Sequence, residues 1–212
     1  MAGTALVTGG TVRLGLAIAD ELRGRGWRVL VSSHRPDAGA DIVADLADPL
    51  GPARLYAAAL RLLDGRPPDA VVNNAALFTG TPDALEAVNL VAPRKLTALA
   101  AGREEGLGAV VNVCDCQALS GAAEGLSPYL RTKRLLAEET RRAALTFAAT
   151  LRVNAVAPGP VLAPAGLHVR AGELLLDRRP TPADVAAAVA FLLENQAVTG
   201  TIIPVDAGQS LL

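Results

Sequence analysis

The chain has 212 residues, of which 51% are hydrophobic and 19% are charged, and its formal net charge is −1 at pH 7. This length predicts a single domain, and the composition is typical of a folded protein and not of a disordered one. The small net charge argues against nucleic acid or an anionic membrane as a partner, and no apolar stretch reaches the length of a membrane span. No basic segment followed by an apolar core opens the chain, so we expect a cytoplasmic location.

Short apolar runs alternate with amphipathic stretches along the chain. The runs predict strands at Thr4–Thr8, Trp27–Ser32, Ala70–Asn73, Ala109–Val113, Leu151–Val156 and Thr201–Val205. The amphipathic stretches predict helices at Leu14–Arg23, Pro52–Leu63, Asp83–Arg103, Pro128–Ala148 and Pro182–Glu194. Because the strands lack apolar–polar alternation, both of their faces should be buried. We therefore predict an α/β fold, a doubly wound Rossmann-type parallel sheet flanked by helices on both faces, with a ligand crevice at the carboxyl ends of its strands.

No linker divides the chain, so the prediction is one domain over residues 1–212. The stretch Pro158–Pro182 is rich in proline and has little periodicity. We predict a loop there, with a short helix at Ala171–Leu176.

A glycine-rich segment, Thr8–Gly15, follows the first strand and opens the first helix. Glycines at such a turn allow a pyrophosphate to approach backbone amides at a helix N-terminus. The plain alternative is an ordinary strand–helix turn. Its position at the first strand–helix junction favours a dinucleotide site.

The second strand ends in Ser32, Ser33, His34 and Arg35. A dinucleotide fold that prefers NAD places an acid at this tip to bind the ribose 2′-hydroxyl. Here Arg35 and Ser33 could hold a 2′-phosphate, and His34 could add a hydrogen bond. A solvated surface arginine is the alternative. We interpret the tip as favouring NADP(H) over NAD(H).

The two cysteines, Cys114 and Cys116, stand on either side of Asp115. They are too close together for an ordinary disulfide and too few for a zinc site, so we predict reduced thiols and no metal. A redox-sensitive thiol is the alternative.

Tyr129 and Lys133 stand four residues apart in a predicted helix and should share one helix face. A positive charge near a phenol favours the phenolate, so we expect Lys133 to lower the pKa of Tyr129 and make it a proton donor. The pair alone is weak, since two solvated side chains at this spacing are common.

Taken in order, the motifs of nearly the whole chain resemble the short-chain dehydrogenase/reductase family. They are Thr8–Gly15, Asp45-Leu46, Asn73–Ala76, Asn89, Tyr129 with Lys133, Arg152–Asn154 with Pro158-Gly159, and Thr199–Gly208. The resemblance implies that Lys133 binds the nicotinamide ribose and lowers the pKa of Tyr129, which delivers a proton, and that Asn89 belongs to the proton relay. It implies NADPH or NADP⁺ contacts at Gly9, Arg13, Leu14, Gly15, Ser33, His34, Arg35, Asp45, Leu46, Asn74, Ala75, Ala76, Tyr129, Lys133, Pro158, Gly159 and Val161.

Three positions depart from the generic family pattern and resemble pteridine reductases. Arg13 replaces the middle glycine of the first turn, Asp115 replaces the catalytic serine, and Phe78 follows the Asn-Asn-Ala-Ala segment. A carboxylate would repel the alkoxide formed from a ketone, whereas it suits a ring C=N acceptor that takes up a proton. The resemblance implies substrate contacts from Arg13, Phe78, Asp115 and Tyr129.

Each of these positions has an alternative role. Phe78 could fill the core, Arg13 could bind phosphate only, Asp115 could cap a loop, and Asn89 could pin a helix kink. The leading expectation is an NADPH-dependent reductase of a pterin or dihydropterin, including dihydrofolate, which assembles as a homodimer or homotetramer. The alternatives are an NADPH-dependent reductase of a ketone, quinone or acyl ketone, and an inactive nucleotide-binding regulator. The segment between Gly159 and Pro182 is shorter than the usual substrate loop.

Overall fold

The computed structural model describes residues 3–36, 38–119, 125–161 and 174–212. Its strands are β1 Gly3–Thr8, β2 Trp27–Ser33, β3 Ile42–Val43, β4 Ala70–Asn73, β5 Gly108–Val113, β6 Leu151–Pro158 and β7 Ile202–Val205. Its helices are α1 Arg13–Gly24, α2 Gly51–Leu62, α3 Pro82–Glu86, α4 Ala92–Ala101, α5 Pro128–Thr146 and α6 Pro182–Glu194. The strands form one parallel sheet in the order β3-β2-β1-β4-β5-β6-β7. The predicted doubly wound fold is confirmed.

Both faces of the sheet are covered, as the lack of alternation predicts. Successive residues of β1 point to opposite sides. Ala5 and Val7 join a core that includes residues of α1 and α6, whereas Leu6 joins a second core with residues of α2 and α4. All three side chains are buried. The sheet is therefore a rigid platform between two helical layers.

The order of the strands reverses between β1 and β4, which lie side by side although β2 and β3 intervene in the chain. At such a point the loops leaving two neighbouring strands diverge, and a crevice opens above their carboxyl ends. The loops after β1, β2, β4, β5 and β6 all begin at this edge. The fold thus brings the predicted cofactor and substrate residues to one edge of the sheet, whereas Arg152–Asn154 and Thr199-Gly200 lie at the opposite edge.

The structure corrects four details of the prediction. The short strand β3 was not expected, because its two residues carry too little pattern. The predicted helix Asp83–Arg103 is interrupted by a π-helical turn at Ala87–Val91, and 3₁₀ turns form at Cys116–Ala118 and Gln209–Leu211. In the predicted helix Ala171–Leu176, residues 171–173 lie outside the described part of the chain, and Leu174–Leu176 are not helical.

Within the described ranges, none of the helices is both long enough and apolar enough to cross a membrane.

Candidate active site

A cleft of about 490 Å³ opens above the carboxyl ends of β1 and β4. Its volume lies in the range of small-molecule and cofactor sites. Every predicted cofactor or substrate residue lines this cleft, whereas Asn89 lies behind its wall. The predicted site residues are thus brought together.

The turn after β1 needs glycine at two positions. Gly9 has a φ of +62°, in the left-handed region that favours glycine. A Cβ atom on Gly15 would overlap severely with the Gly9 carbonyl oxygen. These two residues let the first turn of α1 pack directly on the loop, so that backbone amides face the cleft.

In the described part of the chain, no side chain caps the N-terminus of α1. Its N-cap is Val12, which has no side-chain acceptor, and its first turn holds no acidic residue. The first amides of a helix have no partner within the helix and carry the positive end of its dipole. An uncapped end of a 12-residue helix in a cleft is suited to a phosphate group.

Arg13 stands at this end in a strained conformation. Its φ is +52°, which is costly for a residue with a Cβ atom. The generic family pattern has glycine here, for which the conformation is easy. Strain of this kind at a cleft is typical of functional positions. The exposed guanidinium lines the cleft, where it can reach an anion.

Asn74 fixes the glycine turn from the neighbouring strand. Its side-chain amide donates to the carbonyl oxygens of Thr8 and Gly9, at 2.9 and 3.2 Å. The Thr8 hydroxyl in turn accepts from the backbone amides of Asn74 and Ala75, both at 3.0 Å. The Asn74 side chain, expected to contact the cofactor, thus also holds the cleft's two walls in register.

The tip of β2 borders the same cleft. Ser33 is buried, and its hydroxyl oxygen accepts from the Arg35 backbone amide at 3.0 Å. His34 and Arg35 are exposed and line the cleft. Two basic or polar side chains therefore stand where the cleft begins, with a serine whose hydroxyl proton remains available.

Asp45 and Leu46 form the far wall of the cleft at the end where the tip of β2 stands. Leu46 is buried, whereas Asp45 accepts from the Ala47 backbone amide at 2.9 Å and thereby shapes the turn. Ala44, Ala47 and Val88 also line the cleft, and the sequence motifs did not predict them. Ala44 and Ala47 stand next to the Asp45-Leu46 pair, and this position in the sequence could have identified them as cleft residues.

Tyr129 and Asp115 meet at the opposite end. The Tyr129 hydroxyl donates to Asp115 Oδ2 at 3.1 Å, and the Gln117 backbone amide donates to Asp115 Oδ1 at 2.9 Å. Asp115 therefore caps the Cys116–Ala118 turn and holds Tyr129 at once. Asp115 therefore does more than cap a loop, which was its alternative role.

The pKa values of this pair are shifted by their surroundings. Burial raises the pKa of Asp115 above its usual range, although the bonds from Gln117 and Tyr129 and the charge of Lys133 oppose the shift. Burial, followed by the charge and the hydrogen bond of Asp115, raises the pKa of Tyr129. The pKa of Tyr129 is therefore raised overall, against the direction expected from Lys133 alone, because burial and the contact with Asp115 dominate.

Lys133 is buried, and its ammonium donates to the Val113 carbonyl oxygen at 2.7 Å. It lies 5.9 Å from the centroid of the Tyr129 ring. Burial lowers the pKa of Lys133, and the nearby Cys114 and Asp115 oppose this shift. An ammonium has three donors, and the described residues take up one of them, which leaves two for a ligand in the cleft.

Phe78 stands at the mouth of the cleft with 74% of its surface exposed. Its ring lies 4.8 Å from that of Tyr129, centroid to centroid, at 57°. The alternative that Phe78 fills the core is therefore wrong. An exposed aromatic ring beside Tyr129 offers a flat apolar surface to a ligand.

Asn89 is fully buried within the π-helical turn. Its side chain accepts from the Leu77 amide and donates to the Leu77 carbonyl, both at 2.8 Å, and it also donates to the Thr132 hydroxyl at 3.1 Å. Its side chain thus holds the irregular helix to Leu77 and Thr132, which agrees with the alternative role of pinning a helix kink.

The remaining predicted residues form the floor and rim. Pro158, Gly159 and Val161 line the cleft at the end of β6. Cys114 and Cys116 are buried and unbonded to each other, and burial raises the pKa of each thiol to about 12. At neutral pH both are protonated thiols of low reactivity.

Comparison with known proteins agrees with this arrangement. A family model described as enoyl-(acyl carrier protein) reductase matches residues 67–210. A Streptomyces violaceoruber protein named as putative ketoacyl reductase 2 of the granaticin polyketide synthase is 33% identical over 245 positions, covering 100% of this chain and 97% of that protein. Pteridine reductase 1 of Leishmania tarentolae is 29% identical, covering 99% of this chain and 97% of its own.

Among solved structures, a blue fluorescent protein from a metagenomic library, crystallised in complex with NADPH, superposes with a TM-score of 0.85 at 28% identity. The match covers 98% of this chain and 97% of that one. Sequence motifs, sheet topology, cleft and relatives agree, and the chain belongs to the short-chain dehydrogenase/reductase family.

Proposed function

We propose that this protein is an NADPH-dependent reductase of a pterin or dihydropterin ring, dihydrofolate included. The observation that carries the proposal is the hydrogen bond from the Tyr129 hydroxyl to Asp115, at 3.1 Å, in the cleft. A neutral hydroxyl at the position of Asp115 would suit a ketone, since it can donate to a developing oxyanion. A carboxylate in its charged form cannot donate.

The chemistry of a ring C=N bond fits this pair better. Reduction of such a bond adds a hydride to carbon and a proton to nitrogen, and pterins carry N–H groups that can donate to a carboxylate. Tyr129 carries its proton at neutral pH because its pKa is raised, and Asp115 orients that proton. A group within hydrogen-bond reach of the acceptor atom is what general acid catalysis requires.

The residues present fit a dinucleotide phosphate. The uncapped amides of α1 and Arg13 suit the pyrophosphate, and Ser33, His34 and Arg35 suit a 2′-phosphate. Lys133 has two remaining donors for ribose hydroxyls. When bound, NADPH supplies the hydride for the reaction. The blue fluorescent protein that binds NADPH supports this assignment.

Phe78 supports a flat substrate. Its exposed ring would cover one face of a heterocycle, and stacking of this kind contributes about 0.5–1.5 kcal/mol beyond area burial. The similarity to Leishmania pteridine reductase 1 over almost the whole chain points in the same direction.

Reduction of a ketone, quinone or acyl ketone is the second candidate function. The relative named as a ketoacyl reductase favours it, with 33% identity over the full chain. Tyr129 and Lys133 could also serve the reduction of such a substrate by NADPH if Asp115 were protonated. Burial raises the pKa of Asp115, which favours its protonated form.

The test is NADPH oxidation with dihydrobiopterin, dihydrofolate and an activated acyl ketone, followed by absorbance. Turnover of either pterin substrate well above that of the ketone is expected. Activity on the ketone alone would overturn the pterin proposal and favour the second function. Tight NADPH binding with no turnover of any of the three would favour an inactive regulator.

Assembly into a homodimer or homotetramer is also part of the proposal. Leu145, Leu211 and Leu212 expose 83%, 79% and 68% of their surfaces, and apolar side chains this exposed are candidates for burial between subunits. Light scattering after size exclusion would give the subunit number, and a monomer at micromolar concentration would contradict assembly.

A further inference from the structure

Thr132 lies between the two halves of the catalytic pair in sequence, yet it does not line the cleft. It is buried on α5, and its hydroxyl donates to the Tyr129 carbonyl oxygen at 2.7 Å. The same hydroxyl accepts from the Asn89 side-chain amide at 3.1 Å. Thr132 therefore joins the helix that carries Tyr129 to the π-helical turn.

Asn89 extends this link to the wall of the cleft. Its amide group bonds to both backbone atoms of Leu77, accepting from the N–H and donating to the carbonyl, each at 2.8 Å. Leu77 is the residue before Phe78. An otherwise exposed loop is thereby held at its backbone from inside the protein.

The two ends of this chain of bonds meet again in the cleft, where the rings of Phe78 and Tyr129 lie 4.8 Å apart. The two rings contact each other directly, and their residues are also linked by the hydrogen bonds of Leu77, Asn89 and Thr132. We call Leu77 and Phe78 the Phe78 wall of the cleft. Because buried hydrogen bonds resist distortion, the bonds through Asn89 and Thr132 fix how far this wall stands from the Tyr129 hydroxyl.

We propose that Thr132 is a positioning residue that couples the Phe78 wall to the Tyr129 helix and so fixes where the exposed Phe78 ring stands beside Tyr129. The effect on substrate binding rests on the proposed function, whereas the coupling itself does not. A Phe78 ring held in one place would favour flat ring substrates over bulkier ketones, since stacking on its exposed face needs a flat ligand in close approach.

The chain offers a matched control on the same helix. Thr140 is also buried, donates to the Leu136 carbonyl oxygen at 2.8 Å and accepts from the Asn112 side-chain amide at 2.9 Å. It has the same partners in kind as Thr132, but its bonds lead through Asn112 to Asn73 in β4 and not to the Leu77 backbone. Thr140→Val therefore reproduces the cost of a lost buried hydroxyl without the proposed coupling.

The first experiment needs no substrate. Hydrogen–deuterium exchange at the Leu77 amide reports whether the loop is held, since this N–H donates to Asn89. In Thr132→Val we expect exchange to accelerate about tenfold, because Asn89 loses one of its three bonds. Thr132→Ser, which keeps the hydroxyl, and Thr140→Val should exchange as the wild type does.

The second experiment measures KM and kcat with whichever of dihydrobiopterin and the activated ketone the wild type reduces. Thr132→Val should raise KM by about five- to tenfold and leave the Kd for NADPH unchanged, and Thr132→Ser should restore KM. Failure of pterin turnover in the wild type would sink the proposed function but not the coupling, which Leu77 exchange decides.

Three results would overturn the inference. They are wild-type exchange at Leu77 in Thr132→Val, equal acceleration in Thr140→Val, and accelerated exchange accompanied by an unchanged KM. The first two results would make Thr132 a structural residue of α5 and nothing more, and the third would leave the coupling in place but overturn its effect on substrate binding.

Discussion

The Tyr129 hydroxyl donates a hydrogen bond to Asp115 Oδ2 at 3.1 Å, and burial raises the pKa of both groups. In a generic member of the family a serine occupies the position of Asp115, and no charge opposes ionisation of the tyrosine. Here the carboxylate makes the phenolate harder to form. The pair thus holds its proton until hydride addition to a ring C=N bond makes the nitrogen basic enough to accept it.

Replacing Asp115 by Ser tests the chemical role of the carboxylate. We expect pterin turnover to fall by about 10²-fold or more, the usual size of a general acid–base contribution, with an unchanged Kd for NADPH. Asp115→Asn keeps the shape, removes the charge and replaces one of the two acceptor oxygens by an N–H donor, so it tests the carboxylate while a planar polar side chain stays in place. Steady-state NADPH oxidation and nicotinamide fluorescence give the two quantities. A wild-type rate in Asp115→Ser would show that the carboxylate has no chemical role.

Stability should depend on pH through the same carboxyl group. Because the pKa of Asp115 is raised in the folded state, the folded protein binds this proton more tightly than the unfolded chain does. Its contribution is therefore fully present below the ordinary aspartate pKa of about 3.9 and is lost as pH rises through the raised value. Asp115→Asn should unfold at the same temperature as the wild type near about pH 4 and at a higher one near about pH 7.

The control for this effect is Asp83→Asn, which removes an exposed carboxylate in the first turn of α3, outside the cleft. Thermal unfolding across the pH range should show no growing advantage for this variant. If Asp115→Asn is no more stable than wild type at neutral pH, burial does not penalise the charge of Asp115.

Arg35 should discriminate between the two nicotinamide cofactors. Arg35→Ala removes one partner of a charge-assisted hydrogen bond to a 2′-phosphate, a loss of about 1.5–3 kcal/mol, or about ten- to 150-fold in Kd. NADH lacks this phosphate, so its Kd should change by less than about threefold. Arg61→Ala, at the exposed end of α2, controls for the loss of net charge. Equal weakening of both cofactors would remove the argument for a 2′-phosphate contact.

The fold and most of the cleft could be predicted from the sequence because the relevant signals are local. Buried strands are continuous apolar runs, and residues after successive strands must meet at one edge of a parallel sheet. That is why Gly9, Arg35, Asn74, Asp115 and Tyr129 all reach the cleft, as predicted. The π-helical turn could not be read, since its residues have ordinary helical pattern.

The pKa shift of Tyr129 could not be predicted because it depends on distances between elements. The spacing of Tyr129 and Lys133 places them on one helix face, but it does not show that the ammonium bonds to Val113 of β5. Nor does it show that Asp115, 14 positions away, lies against the phenol. The link from Thr132 to Asn89 is equally hidden, since 43 positions separate them.

We expect Arg13 to bind the phosphates of NADPH although its backbone is strained. Arg13→Gly relieves a left-handed conformation that costs about 1 kcal/mol or more, while glycine loses about 0.5–1 kcal/mol through its extra freedom in the unfolded chain. These terms nearly cancel, so urea unfolding should change by less than about 1 kcal/mol. NADPH should nevertheless bind about tenfold more weakly, through loss of a charge-assisted contact.

Arg13→Lys serves as the companion variant, since it keeps the charge and the strain but cannot bind a phosphate in a bidentate manner. Its Kd should lie between those of the wild type and Arg13→Gly. If Arg13→Gly binds NADPH as the wild type does, Arg13 is not a phosphate ligand, and its strained backbone has another cause.

Phe78 tests the substrate most directly, because its ring is already exposed and contributes little to the core. Phe78→Ala should change the free energy of unfolding by less than about 0.5 kcal/mol, as for other surface substitutions. Loss of stacking on a heterocycle should raise KM for a pterin by about two- to twelvefold, the equivalent of about 0.5–1.5 kcal/mol. Phe191→Ala, which truncates another partly exposed phenylalanine on α6 outside the cleft, should leave the pterin KM unchanged. An unchanged pterin KM in Phe78→Ala, with the ketone KM raised instead, would assign the Phe78 wall to a ketone substrate, because only a ligand that lies against the ring responds to its removal.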